Sequence, residues 1–464
     1  MAGSATILSV EIGEASTGNL GDINGTSPAP DVSGVTFYPF YIDRAVLDAM
    51  GGGAEFVSVA DYGSNLPGES TPRSVDFMNR TGSTAYGASD GERFATLQVE
   101  SVDMSARLVT LPADPSVIPE GIMLRSVFAY RSPTNPSITA NDNGGDNSTI
   151  PCDTTASFDA VVGDVIRVNY ANSDECTRHI IVQVNAGATG DIKVHPDMRS
   201  AISTDDVVDV EDQFYAVTGT ANVAGSDFHI RGAAGGNSTD ADFGRIVPGC
   251  RLGALSMTAD DQGALIMAYT ASSKVAVDND SPASVVASTE RTGAVVNAFR
   301  DSTLQIGPNI VGQSAPYTAA ATYDRAKLFD GGSINMEWDI SDGPTDGRTV
   351  MGVSDREITN ARMTMDVTVT NADEGQVFKR MLANEEQRWI IRNFGPGGEP
   401  VTDDPTGMGV IALMSRSPDE SAVANGEERL RRSVTLRAVN DGTNIVDGST
   451  TLATSPFRIT WPTA

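Results

Sequence analysis

The chain has 464 residues, 40% of them hydrophobic, and its 32 Lys and Arg face 61 Asp and Glu for a formal net charge of -29. That much apolar material argues against a disordered polymer, and the length exceeds one ordinary core, so two or three domains are expected. The charge argues against tight binding to nucleic acid, because the densest basic cluster, Arg429-Leu430-Arg431-Arg432, directly follows Glu427-Glu428.

The basic residues are lopsided. Only Lys193, Lys274, Lys327 and Lys379 are lysines, so 32 minus 4 leaves 28 arginines. A chain this acidic repels itself unless salt screens the charges, as expected in strong brine; an Asp-rich protein of ordinary or sea water gives the same composition. No run of about 18 apolar residues occurs, so no membrane-spanning helix and no membrane insertion are expected. Met1-Ala2-Gly3-Ser4 carries neither a basic region nor an apolar run, so a secretion signal is not expected there.

Taken in chain order, the first strands are marked by Leu8, Val10 and Ile12, then by Tyr38, Phe40 and Ile42. A short helix over 43–50 is expected to end at Gly51-Gly52-Gly53. Residues 63–91 are rich in Gly, Ser, Asn and Pro and read as a long loop, a feature that is usually functional. Leu97 and Val99, then Val102, Met104, Ala106 and Leu108, make a long strand with a phase break near Ser101 that predicts a bulge. The stretch 132–151 is dense in Pro, Asn, Asp and Gly and reads as a linker. Runs at 161–168, 179–184 and 191–195 then predict three short strands of a small β-barrel.

Farther on, Leu255 and Met257 lead through Asp260-Asp261-Gln262-Gly263 into Leu265, Met267 and Tyr269, a hairpin whose Gly supplies positive φ. Two strands alternate cleanly. Ile334, Met336, Trp338 and Ile340 share one face of the first. Ala361, Met363, Met365, Val367 and Val369 share one face of the second, and a one-residue slip would expose all five. Asn371 with Glu374 forms a capping box for a helix over 372–384, carrying Val377, Phe378, Met381 and Leu382 as its apolar stripe. Strands at Trp389-Ile390-Ile391, at 434–439 and at Phe457, Ile459 and Trp461 follow.

Catalytic chemistry is not expected. No phosphate-binding loop and no paired metal-binding histidines are found, and His179, His195 and His229 have no nucleophile elbow to serve. Gly407-Met408-Gly409-Val410-Ile411-Ala412 has the look of a dinucleotide fingerprint but opens no helix. Asp278-Asn279-Asp280 and the run 141–146 lack the distal Glu of a calcium loop, so solvated turns are favoured and no cofactor or metal is expected. Cys152 and Cys176 are able to pair, but an odd total with Cys250 does not read as a disulfide framework.

The order of elements from the hairpin through Ile334-Asn335-Met336-Glu337-Trp338-Asp339-Ile340, the Gly-rich turn over 342–352, Arg356-Glu357-Ile358-Thr359-Asn360-Ala361, the capped helix and the Trp389 strand resembles the tail tube proteins of long non-contractile-tailed (siphovirus-type) viruses. Gly163-Asp164-Val165-Ile166-Arg167-Val168 and Ile192-Lys193-Val194 resemble a small barrel often inserted in that family.

The resemblance implies a mainly β fold: tail-tube-type β-sandwich domains with a flanking helix that close into an oligomeric β-barrel, plus the small inserted barrel. The expected divisions are 1–118, a tube-type domain with the 63–91 loop; 119–200, the small barrel; and 201–464, the C-terminal sandwich. It further implies rings of identical subunits, trimers favoured over hexamers, stacked into a tube that contacts other tail proteins and lets viral DNA pass without sticking. The protein would be made in the host cytoplasm and end in the virion. Glu337, Asp339, Asp366 and Thr368 then either line the lumen or face outer solvent, and Tyr62, Asn65, Arg73, Asp76 and Arg80 are candidates for the inter-ring loop. Another virion component (capsid, decoration or baseplate) and a β-rich adhesin are the alternatives.

Overall fold

The structure, a computed structural model, describes residues 6–14, 35–40, 70–73, 96–99, 102–107, 109–110, 114–141, 147–151, 159–171, 176–185, 190–195, 197–198, 201–217, 227–235, 243–259, 263, 265–273, 275–278, 295–309, 322–323, 329–342, 356–369, 388–396, 407–416, 424–425, 430–439 and 455–461. They are mainly β, and the pairings are antiparallel.

Six strands lie side by side in the order Val102–Arg107, Leu265–Ser272, Phe243–Ala259, Phe329–Asp342, Arg356–Val369 and Leu430–Ala438. The next strand, Gly409–Arg416, turns the sheet over. Its end at Met414–Arg416 pairs with Leu430–Ala438, while its start at Gly409–Ala412 pairs with Phe457–Trp461. Arg388–Pro396 runs along its other edge, and Phe457–Trp461 leads on to Asp212–Ala216 and Phe128–Arg131.

The two layers so formed close on one core. Leu255, Met257, Met267, Met336, Trp338, Met363 and Met365 of the first layer pack in the same buried cluster as Phe128, Phe214, Ile390, Val410 and Phe457 of the second. Phe128 stands edge-on to Trp338, Phe457 and Phe214, with centroids 5.1, 5.9 and 6.5 Å away. Edge-to-face contacts of this kind add about 0.5–1.5 kcal/mol each beyond area burial.

Alternation in the sequence becomes alternation in burial here. Ile334, Met336, Met363 and Met365 are fully buried, Val367 is 1% exposed, and Glu337 and Arg362 face outward. One irregularity re-phases the second strand: Asp339 pairs with Asn360, but Ile340 pairs with Ile358, so Thr359 is bulged out and Ile358 returns to the core. At the hairpin Gly263 has φ 90°, as its turn requires.

Strands expected in a 1–118 unit pair with strands of the 201–464 part. Thr6–Glu14 pairs with Phe228–Gly235, and Val102–Arg107 with Leu265–Ser272. The α-helix among the described residues, Pro119–Arg125, starts on Pro and sends Ile122, Met123 and Leu124 into the main core. The expected helices at 43–50 and 372–384 lie outside the described residues. No helix among the described residues is long and apolar enough to cross a membrane.

The small unit is a six-stranded antiparallel sheet in the order Ser137–Thr139, Val207–Val210, Val165–Asn169, Cys176–Val184, Asp191–His195 and Thr149–Pro151. It curls until its edges meet, where Asn141 N donates to Pro151 O at 2.8 Å. Ile150, Ile166, Val168, Ile181, Ile192 and Val208 fill its interior. Its strands thus run from Ser137 to Val210 rather than over 119–200. The helix at 119–125 and the strand Phe128–Arg131 pack with the sandwich, while Val207–Val210 completes the small sheet.

Candidate assembly face and buried polar seam

The outward face of the two alternating strands carries Glu337, Asp339 and Asp366. Arg362 sits between the first two, donating to Asp339 Oδ1 at 2.6 Å and lying 3.9 Å from Glu337 Oε2. These side chains are 55% (Arg362), 45% (Asp339) and 63% (Glu337) exposed, so each pair is worth about 0–1 kcal/mol and serves to order a wet polar face. Asn360 Nδ2 adds a hydrogen bond to Asp339 Oδ2 at 3.2 Å.

Asp366 is held differently. Ser333 Oγ donates to its Oδ2 at 2.8 Å and Thr435 Oγ1 to its Oδ1 at 2.6 Å, so one carboxylate ties three adjacent strands. Thr368 pairs through its backbone with Ser433 on the same sheet. The four candidates therefore share one sheet, but the face is not a bare acid strip, because Arg362 offsets one charge locally.

Of the loop candidates, Arg73 lies in Ser70–Arg73, which pairs with Thr96–Val99; that strand pairs in turn with Val275–Asp278. Tyr62, Asn65, Asp76 and Arg80 lie outside the described residues.

A second polar constellation, unmarked by the sequence reading, joins the small unit to the sandwich. Arg178 forks onto Glu211 at 2.7 and 2.9 Å and reaches across to Asn393 Oδ1 at 2.9 Å and Gly407 O at 2.5 Å. Arg167 donates to Asp209 at 3.0 Å and lies 3.7 Å from Glu211. Arg131 holds Asp164 at 2.6 and 3.1 Å, while Gln213 Nε2 and Val161 N also donate to that carboxylate, each at 2.8 Å. Arg458 donates to Gly163 O.

Burial pushes the Asp164 carboxyl up, against the opposing pull of its hydrogen bonds from Arg131 and Val161 and the charges of Arg131 and Arg458. Burial also works against the Arg131 charge; hydrogen bonds and charges from Asp164 and Asp159 outweigh it and raise its pKa. Arg458, wholly buried, is lowered to about 10 by that burial against the pull of Asp164. Around the ions lies an apolar contact of Val165, Ile180 and Val182 with Trp389, Ile391, Ile411 and Leu413.

The signal for this seam was arginine inside apolar strands: Val165-Ile166-Arg167-Val168, Cys176-Thr177-Arg178-His179-Ile180 and Phe457-Arg458-Ile459. The Gly407–Ala412 run also belongs here. It enters a strand, and Gly409 leaves room for the strands beside it, since a Cβ there would lie 2.6 Å from Thr460 Oγ1 and 3.0 Å from Arg178 Cδ.

The histidines are packed rather than poised. Thr177 Oγ1 and His179 Nε2 lie 2.7 Å apart inside the small unit. Burial drives His229 down to about 4 and lowers His195 against the opposing charge of Asp197. Cys250 is buried with a free thiol that burial pushes up. No group of three or more His, Cys, Asp or Glu suited to a metal occurs among the described residues. No protein-family model matches the chain, and no curated protein is similar to it in sequence.

Proposed function

We propose that this protein is a structural subunit of a viral tail tube of the long, non-contractile type, assembling into stacked rings through which the genome passes. The observation that carries this reading is the broad antiparallel layer spanning Val102–Arg107 to Leu430–Ala438, sealed by a core on one side and wet on the Glu337, Asp339 and Arg362 side. Pairing the strands of neighbouring copies into a closed wall leaves no sheet edge exposed. Repeating head-to-tail contacts then extend rings into a filament.

The net charge of -29 suits a channel to which DNA does not adhere, and it suits a halophilic host. Fold alone does not specify function, so assembly decides the matter. Negative-stain microscopy of the purified protein in concentrated salt is expected to show stacked rings or tubes with three chains per ring. A monodisperse monomer under all salt conditions, and absence from virus particles, would refute the proposal; six chains per ring would remove the trimer. Deleting 63–91 is expected to leave soluble subunits that no longer polymerise, and normal tubes from that variant would exclude the loop from ring stacking.

A further inference from the structure

The two layers of the sandwich turn their outer faces in opposite directions, and the pairing register sets those faces apart in kind. Across the first layer one row runs through Ala268, Ser256, Asn335, Thr364 and Arg437 on five adjacent strands, and none of the five is buried. The neighbouring row sets Ala254, Glu337 and Arg362 side by side, the last two exposed. Small polar groups and solvated charges keep this face wet.

Across the second layer the matching row runs through Arg131, Gln213, Thr460, Gly409 and Asn393, again on five adjacent strands. The small unit lies over it. Arg131 and Gln213 donate to Asp164 Oδ1 at 2.6 and 2.8 Å, Arg178 donates to Asn393 Oδ1 at 2.9 Å, and a Cβ on Gly409 would lie 3.0 Å from Arg178 Cδ. In the next row Arg458 donates to Gly163 O, while Ile411 and Ile391 pack with Val165, Ile180 and Val182. Gln213, Thr460, Asn393 and Arg458 are all buried. One side of the sandwich is therefore covered by its own chain, and the other side meets water.

We propose that the wet face of the first layer lines the channel and that the small unit stands on the outside of the tube, fixed there by the covered face of the second layer. The inference rests on the tube reading, and size sets the direction. Six strands from each of three copies make 18 in all. At a spacing of about 4.8 Å and a tilt of about 40° they close a ring about 36 Å across at the backbone. The small unit, residues 137–210, is about 25–30 Å across, so three copies inside that ring would block it. Outside the wall they leave the channel open. The genome then meets the Ser256, Asn335 and Thr364 row beside Glu337, Asp339 and Asp366, whose charge repels phosphates. Arg362 is held on Asp339 Oδ1 at 2.6 Å, which turns that cation away from a passing strand.

Thiol labelling of assembled full-length protein tests it. In a chain carrying Cys152→Ser and Cys176→Ser, with Cys250 buried, single thiols are placed by Lys193→Cys or Thr139→Cys on exposed positions of the small unit and by Glu337→Cys on the wet face. After reaction with biotin-maleimide, intact tubes are probed on the grid with streptavidin-gold, which is too bulky to enter the channel. Gold is expected along the walls of the Lys193→Cys and Thr139→Cys tubes. It is expected to be lost from Glu337→Cys tubes and to return when they are dissociated into subunits. Gold along the walls of Glu337→Cys tubes, or none on either small-unit variant, would overturn the orientation while leaving the tube reading intact. Absence of any polymer from the unsubstituted chain would refute the tube reading, and the orientation with it.

Discussion

The seam between the sandwich and the small unit is built on Arg131, Arg167, Arg178 and Arg458, and a flat fork explains the choice of arginine. Arg178 uses one fork on Glu211 and still reaches Asn393 and Gly407, which the compact ammonium of a lysine does not achieve from one position. Its side chain is 5% exposed and that of Glu211 is fully buried. Removing one partner of such a pair strands a buried charge, at about 3–5 kcal/mol. Arg178→Ala is therefore expected to lower the free energy of urea unfolding by that amount. Arg178→Met with Glu211→Leu should recover most of the loss; a double variant as unstable as the single would show that hydrogen-bond geometry, not stranded charge, sets the cost.

Asp212 makes a pH prediction at the same scale. Burial pushes its carboxyl up to about 6 from the ordinary 3.8. Because the folded value lies above the unfolded one, the protonated form favours the fold: its contribution is full below about 4 and is lost as pH rises through about 6. The difference corresponds to about 2–3 kcal/mol. Asp212→Asn should flatten the fall in Tm between those pH values. A wild-type Tm that instead rises steadily over that window would contradict the assignment.

At the scale of elements, legibility tracked how many faces of a strand meet water. Ile334 to Ile340 and Ala361 to Val367 have one wet face, and their alternation alone marks both the buried row and the polar candidates opposite it. Phe457–Trp461 has none: Phe457, Ile459 and Trp461 meet the sandwich core, while Arg458 and Thr460, also buried, face the seam. The same double cover explains the unbroken apolar runs at Trp389-Ile390-Ile391 and 410–414, which periodicity cannot assign to a face. The bulge at Thr359 was equally hidden, because only pairing with Asp339 and Ile340 reveals it. The partners of Arg178 at Asn393 and Gly407 lie more than two hundred residues away along the chain, and no local spacing announces them.

Gly332 offers a test at this scale. It sits in the strand beside Asp366 with φ +136°, and an added Cβ would lie 2.4 Å from the Asp366 carbonyl oxygen. Gly332→Ala combines backbone strain with a backbone clash and is expected to cost more than about 1 kcal/mol in urea unfolding. Gly253→Ala, whose Cβ would meet Thr270 O at an ordinary 3.6 Å, is the control expected to change stability little.

For the whole molecule the governing quantity is charge. Ion pairs in the seam neutralise buried groups locally, so the excess of 61 acidic over 32 basic residues must be carried mainly by exposed positions. Like charges on a folded surface repel more strongly than on an expanded chain, and added salt shortens the reach of that repulsion from about 30 Å at 0.01 M to about 3 Å at 1 M. Stability should therefore climb steeply at low ionic strength and level off near molar salt. The buried pair of Arg178 with Glu211 is shielded from solvent ions and should not reverse the trend. If rings form, they bring many such surfaces together, so assembly should demand more salt than folding does. Calorimetry across a sodium chloride series, paired with sedimentation of the same samples, separates the two. The expected outcome is a Tm rising several degrees before any fast-sedimenting species appears. A Tm that falls with salt would mean that attractive pairs dominate the surface, and it would remove both the brine reading and the electrostatic account of assembly.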